Sequence, residues 1–343
     1  MRAMRFPEVG RAEIVEVSTP RVGEGEVLVQ VKAAGICASD VAAFRGIHDV
    51  RRLPVITGHE LAGEIVEVGP GVHLRTVGER VAVEPHLGCG RCVYCQRGHC
   101  HECPSKRFLG VGEWIGAFAE FVAVAERMCH VMPPKMTWEE GAALEPLCVG
   151  LHAVRRAEVR VGDRVAIVGV GAIGMMTLLC VQCCSPGKVM VMDPNPGKRD
   201  MALRCGADVA IDPTRQDPVN QVRRLTDGVG ADVVFIAVEV ESALRQALDL
   251  CRPMGSLVII AAFFQGGALE ARQIQARERM VIGTSMYTAE DYALAIRLWE
   301  RREFTPLPSL ITERISLDQA PSMVAGLARG ERPDTIKAII QFD

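Results

Sequence analysis

Three stretches of this 343-residue chain carry residues whose types and spacing could do chemistry. The first, GCGRCVYCQRGHCHEC from Gly88 to Cys103, holds five of the thirteen cysteines. Cys89, Cys92 and Cys95 are spaced C-x2-C-x2-C, and Cys103 follows eight residues later. Four thiolates from one short loop suit tetrahedral zinc with no open position, a site that holds a loop in place. Cys100, and less so His99 and His101, compete with Cys103 for the fourth position; Cys103 is preferred. The second stretch, AAGICASD, places Cys37, Ser39 and Asp40 after a strand, and GHELAGEIVEVG brings His59 and Glu60 twenty-two residues beyond the cysteine. Cysteine, histidine and a carboxylate together suit a catalytic zinc that keeps a position open. The third, VAIVGVGAIG, runs a strand into Gly169, Gly171 and Gly174, with Ala172 and Ile173 between the last two. Such glycines permit a tight turn and close approach of a pyrophosphate to a helix N-terminus. Nineteen residues past Gly174, Asp193 ends the next strand, where it would accept hydrogen bonds from ribose hydroxyls and repel a 2′-phosphate. NAD is therefore expected over NADP. Lys198 and Arg199 follow closely and temper that preference, and Arg199 is grouped with the cofactor-binding residues.

The elements that must position these residues fall into two parts. From Glu26 the alternation in EVLVQVKAAG and GHELAGEIVEVGPGV, broken by glycine and proline, predicts short strands of a β-rich domain. Near Pro133 the texture changes, and Thr137 with Glu140 three residues on forms a capping box ahead of a helix. From Arg164, apolar strands alternate with helices, the pattern of a doubly wound parallel sheet. The fold class is thus α/β, and the length suits two domains. Residues 1–150 with 287–343 are expected to form the first domain and 151–286 the second. With 49% hydrophobic and 24% charged residues the composition is globular, and a formal net charge of −3 gives no reason to expect nucleic acid or an anionic membrane as partner. Val165 to Cys184 has no charge over twenty residues, but its glycines make a poor continuous helix. The N-terminus shows no secretion or transit signal, so a cytoplasmic, reducing location is expected, with metal ligands and free thiols in place of disulfides.

The motifs GICASD, GHELAGEIVEVGPGV, GERVAVEP, the four-cysteine lobe, GAFAEFVAV, AALEPLCVGLHAVRRA and VGVGAIG occur in the order found in zinc-dependent medium-chain dehydrogenases. The chain resembles that family over nearly its whole length, and EPL, HAVRRA and IGTSMYTAEDYALAI resemble its sorbitol and butanediol dehydrogenase branch. The resemblance implies a GroES-like domain wrapped around a Rossmann domain, one catalytic and one structural zinc, and a homodimer or homotetramer. It implies that Cys37, His59 and Glu60 bind the catalytic zinc, that Glu145 approaches it directly or through water, that Ser39 touches the reacting oxygen, and that Asp40 orients His59. Cys89, Cys92, Cys95 and Cys103 match the structural lobe. The implied activity is NAD-dependent oxidation of a secondary alcohol in a small polyol or vicinal diol. A threonine-type dehydrogenase is the alternative within the class, and a non-catalytic zinc and nucleotide sensor the alternative outside it.

Two departures stand out. Many members carry a proton-relaying histidine five residues after the first zinc cysteine, where this chain has Ala42. His48 lies in the same loop and could substitute, although a solvated loop histidine is the preferred reading. Sorbitol dehydrogenases hold substrate hydroxyls with an arginine whose nearest match here is Met286. Among other residues, His152 is read as packing, Trp114 as a cleft residue or a loop anchor, and Cys148, Cys180, Cys183, Cys184, Cys205 and Cys251 as small buried hydrophobes. VRRL at Val50 and ERRE at Glu300 are read as solvated faces.

Overall fold

The computed structural model describes residues 1–263 and 266–342. The chain divides into two compact units, Met1–Glu145 with Thr288–Glu300 and Ile311–Asp343, and Pro146–Tyr287 with Arg301–Leu310. The expected domains placed 301–310 in the first unit, whereas it clusters with the second. The reason is apolar. Leu307 and Leu310 on the short helix Leu307–Leu310 are fully buried, and that helix packs on the helix Ala172–Gln182.

The first unit is built on a seven-stranded sheet. Its path runs Ile311–Ser316, Lys337–Gln341, Glu26–Ile36, Glu60–Val68, Arg80–Val83, Cys129–Val131, and Phe121–Ala125 pairs with the far half of Glu26–Ile36. Glu26–Ile36 is buried along most of its length, with Val27, Val29 and Val31 turned into a core shared with Ile65, Val81, Val122 and Ile340. At Ile36 the apolar run ends. Cys37, in extended backbone, opens the helix Ala38–Phe44, and the Asp40 carboxylate three residues on accepts the Cys37 backbone N–H at 3.0 Å. This is the reciprocal half of a capping box, and it fixes a cysteine at a strand-to-helix corner.

The helix Trp138–Ala157 begins as its sequence predicts: Thr137 N–H donates to Glu140 Oε2 at 2.9 Å, and Glu140 N–H donates to Thr137 Oγ1 at 3.2 Å. The second unit holds a six-stranded parallel sheet in the order Val209–Ile211, Lys188–Met192, Arg164–Val168, Ala231–Ile236, Cys251–Ile259, Met280–Gly283. In chain order this is 3-2-1-4-5-6, the doubly wound dinucleotide-binding arrangement, whose reversal lies between the first and fourth strands. The uncharged segment Val165–Cys184 divides into the first strand, the glycine turn and the eleven-residue helix Ala172–Gln182. Among the described residues no helix is long and apolar enough to cross a membrane.

Candidate active site

The strand-to-helix corner at Cys37 and the start of the strand Glu60–Val68 are neighbours because Gly35 and Glu60 pair across antiparallel strands. Sequence separation of twenty-two residues thus becomes contact. Cys37 Sγ, a ring nitrogen of His59 and a carboxylate oxygen of Glu60 lie within 4.8 Å of one another. One thiolate, one imidazole and one carboxylate at that spacing fit a zinc ion with room for a further ligand. Glu145 is buried, and its charge bears on Lys337, but it does not belong to that three-residue group.

Behind the three donors stands a buried network. Asp40 Oδ1 accepts from Thr57 Oγ1 at 2.7 Å and lies 3.3 Å from Arg51 Nη1 and 3.6 Å from His59 Nδ1. Arg51 Nη1 donates to Ser39 Oγ at 2.6 Å, and Arg51 Nη2 lies 2.9 Å from His59 Nδ1. Burial opposes the ionisation of Asp40, yet His59 and Arg51 beside it hold the carboxyl well below its ordinary range. Burial and Arg51 oppose protonation of His59, while Asp40 and a hydrogen bond with Cys37 outweigh them and raise it. A metal on that ring takes the place of the proton. On the other side, Lys337 Nζ donates to Glu60 Oε1 at 2.6 Å and to the Ile36 carbonyl at 3.0 Å. Burial pushes Lys337 down, but Glu60, Cys37 and Glu145 push it further up, so it stays an ammonium.

The sulfurs of Cys89, Cys92, Cys95 and Cys103 also lie within 4.8 Å of one another. Cys89 N–H points at Cys103 Sγ (3.4 Å) and Cys95 N–H at Cys92 Sγ (3.5 Å), donors that favour thiolates. The backbone N–H groups of Arg91 and Cys92 pull Cys89 down to about 6, whereas burial raises Cys100, outside the group, to about 11.

In the second unit, Gly169 takes φ 85°, and a Cβ there would stand 2.8 Å from Val238 Cβ. At Gly174 a Cβ would stand 1.9 Å from the Gly169 carbonyl oxygen, so strand and helix can only meet this closely through glycine. Gly171, the residue before the helix that starts with Ala172 and Ile173, would meet nothing within 4 Å, which leaves the approach to the helix N-terminus open. Asp193 follows the strand Lys188–Met192, and its carboxylate accepts from Val170 N–H at 3.0 Å and Asn195 N–H at 2.9 Å. Arg199 donates to the carbonyls of Asp193 (2.7 Å) and Pro194 (2.9 Å) and pairs with Asp212 at 3.2 Å.

Residues 23–134 match the alcohol dehydrogenase GroES-like domain, and residues 169–301 match the zinc-binding dehydrogenase domain. Sorbitol dehydrogenase of Bacillus subtilis is 34% identical over 76% of this chain and 74% of its own. The chain belongs to the zinc-dependent medium-chain dehydrogenases. L-threonine 3-dehydrogenase of Pyrococcus furiosus is 36% identical to this dehydrogenase over 75% of its chain and 74% of the relative. (R,R)-butanediol dehydrogenase of Neisseria gonorrhoeae is 31% identical, over 94% of both chains. A zinc-binding dehydrogenase from Sinorhizobium meliloti, solved with NADP, superposes with a TM-score of 0.92 at 30% identity, covering 99% of both chains. The dehydrogenase is thus an enzyme acting on CH–OH donors.

Several sequence expectations change in this light. VRRL is a solvated face only in part: Val50 and Arg52 are exposed, but Arg51 is 5% exposed and sits inside the catalytic cluster. The run Leu53 to Ile56 after it was the available signal that the segment enters the core. Lys337 was also missed, and its signal was a lysine at the head of the apolar strand Lys337–Gln341. His48 Nδ1 accepts the backbone N–H groups of Val50 (3.2 Å) and Arg51 (3.3 Å), and burial with Arg51 lowers its pKa to about 4, which makes it a poor proton carrier near neutral pH. Ala42 is buried. Trp114 is an anchor, its Nε1 donating to the Ala123 carbonyl at 2.9 Å with Arg107 over the ring. His152, Cys148, Cys180, Cys205 and Cys251 are buried, while Cys183 and Cys184 are only half-buried. Met286 adopts φ 56°, the left-handed region.

Proposed function

We propose that this dehydrogenase oxidises a secondary alcohol of a small polyol or vicinal diol to a ketone, with NAD as hydride acceptor. The observation that carries the reading is the convergence of Cys37, His59 and Glu60 within 4.8 Å, with the Ser39 hydroxyl hydrogen-bonded into the same network. Zinc held by these three supplies the Lewis acidity that brings an alcohol's pKa toward neutrality. Ser39 takes or relays the alcohol proton, Asp40 holds the His59 ring in place, and Glu145 receives a second hydroxyl or completes the ligand set. Cys89, Cys92, Cys95 and Cys103 hold a second, structural zinc.

In the second unit, Gly169, Gly171 and Gly174 admit the pyrophosphate at the helix N-terminus, and Asp193 receives the ribose hydroxyls. NAD is favoured because Asp193 presents a carboxylate and Arg199 is engaged by Asp212, leaving less positive charge for a 2′-phosphate. The relative solved with NADP supports the other choice. The test is NAD(P)H formation from diols, hexitols and L-threonine on zinc-assayed protein, with NAD and NADP in parallel. Turnover of a diol or hexitol with NAD, lost in Cys37→Ser, supports the reading. Turnover of threonine alone would favour the second reading, which rests on the threonine dehydrogenases among the relatives.

A further inference from the structure

Arg51 has no role in any motif, yet it touches three residues of the catalytic cluster, Ser39, Asp40 and His59. Its Nη1 donates to Ser39 Oγ at 2.6 Å and lies 3.3 Å from Asp40 Oδ1, and its Nη2 lies 2.9 Å from His59 Nδ1. Its Nε, also buried, makes no hydrogen bond. The head is therefore placed to serve the cluster at the cost of one of its own donors.

Hydrogen-bond inventory gives this placement a direction. A guanidinium donates and never accepts, so Ser39 Oγ must be the acceptor in that pair. A hydroxyl has one hydrogen, and it must then point away from Arg51. Arginine also stays charged at every pH an enzyme meets, so it cannot carry a proton itself. Nearby, Ala42 offers no proton carrier, and the Nδ1 lone pair of His48 is taken by two backbone N–H groups.

We propose that Arg51 is the positioning residue of this active site, a fixed fork that binds Ser39 Oγ and fixes the Asp40 carboxylate beside His59, and that leaves the second lone pair and the hydrogen of Ser39 free to take and pass on the alcohol proton. The inference rests on the alcohol-oxidising reading, and its contacts concern residues of this chain alone. Because the fork acts on groups at the reacting centre and not on the rest of the substrate, its loss falls on kcat and spares KM. Lysine in its place keeps the charge and can reach one partner, but it cannot span two.

The test compares the full-length, zinc-loaded protein with Arg51→Met and Arg51→Lys. Turnover is measured on the alcohol that the wild type oxidises, alongside zinc per chain, thermal unfolding, and the absorption spectrum after Co(II) exchange. Expected for Arg51→Met is a loss of kcat on the order of 10- to 100-fold, below the full loss of a direct oxyanion donor. KM should stay within about 3-fold, with zinc bound, and Arg51→Lys should recover part of the rate. The Co(II) band should shift in Arg51→Met as Asp40, which orients the His59 ring, loses its guanidinium partner. A kcat within about 3-fold of wild type in the zinc-bound methionine variant overturns the proposal, as does a rate loss that follows zinc loss or unfolding in proportion. If the methionine variant does not fold, a lysine variant with the wild-type rate overturns it. If the wild type oxidises no alcohol, the functional reading fails separately, and the Co(II) comparison still decides: an unchanged spectrum overturns the role of Arg51, and a shifted one supports it.

Discussion

Glu60 and Lys337 form an ion pair with both side chains almost wholly withdrawn from water. Breaking such a pair leaves an uncompensated buried charge, which costs more than the intact pair contributes. In zinc-free protein, where no metal balances Glu60, Lys337→Met is therefore expected to destabilise the fold by roughly 3–5 kcal/mol in urea unfolding, and Lys337→Arg by less. At the cysteine loop the competition for the fourth ligand can be decided by counting metal. Cys103→Ala should lose one zinc per chain by atomic absorption, whereas Cys100→Ala, outside the 4.8 Å group, should keep it. The reverse outcome would make Cys100 the ligand.

At the scale of elements, the parallel sheet is stitched at one end by a single carboxylate. Asp232 accepts from the backbone N–H (2.8 Å) and Nε (2.9 Å) of Arg164 and from Arg252 Nε (2.5 Å), tying three adjacent strands. Burial raises the pKa of Asp232, but these donors overcome it and lower it to about 2. Its folded value lies below its unfolded one, so its stabilisation is fully present above about pH 4 and fades as pH falls toward 2. Asp232→Asn should lower the unfolding free energy at pH 7, read from urea melts, by roughly 1 kcal/mol after allowing for partial exposure, and the difference should shrink steadily below pH 4. A difference that is constant with pH would show that packing, not charge, sets the effect.

At the scale of the whole molecule, the first unit is assembled from three separate stretches of chain. Its sheet needs Lys337–Gln341 to cover one side of Glu26–Ile36, and the same strand delivers Lys337 to Glu60. A fragment ending at Glu145 keeps every candidate zinc ligand but exposes a strand edge and a buried carboxylate. It is expected to aggregate or remain unfolded on expression, in contrast to the full chain. A monomeric fragment with native-like circular dichroism would refute that dependence.

Local chemistry was legible in the sequence wherever neighbours along the chain are neighbours in space. The glycine turn from Gly169 to Gly174, the capping box at Thr137 and the cysteine lobe each lie within a single short segment, so spacing alone implies geometry. The alternation of strands and helices likewise implied the doubly wound sheet, because periodicity follows from which face is buried. The tertiary structure alone decided the rest. Arg51 and Lys337 stand 8 and 277 residues from the groups they serve, His59 and Glu60. Charged residues are ordinarily solvated, and only the packing of a corner, a loop and a closing strand around one point makes it favourable to bury these two as partners.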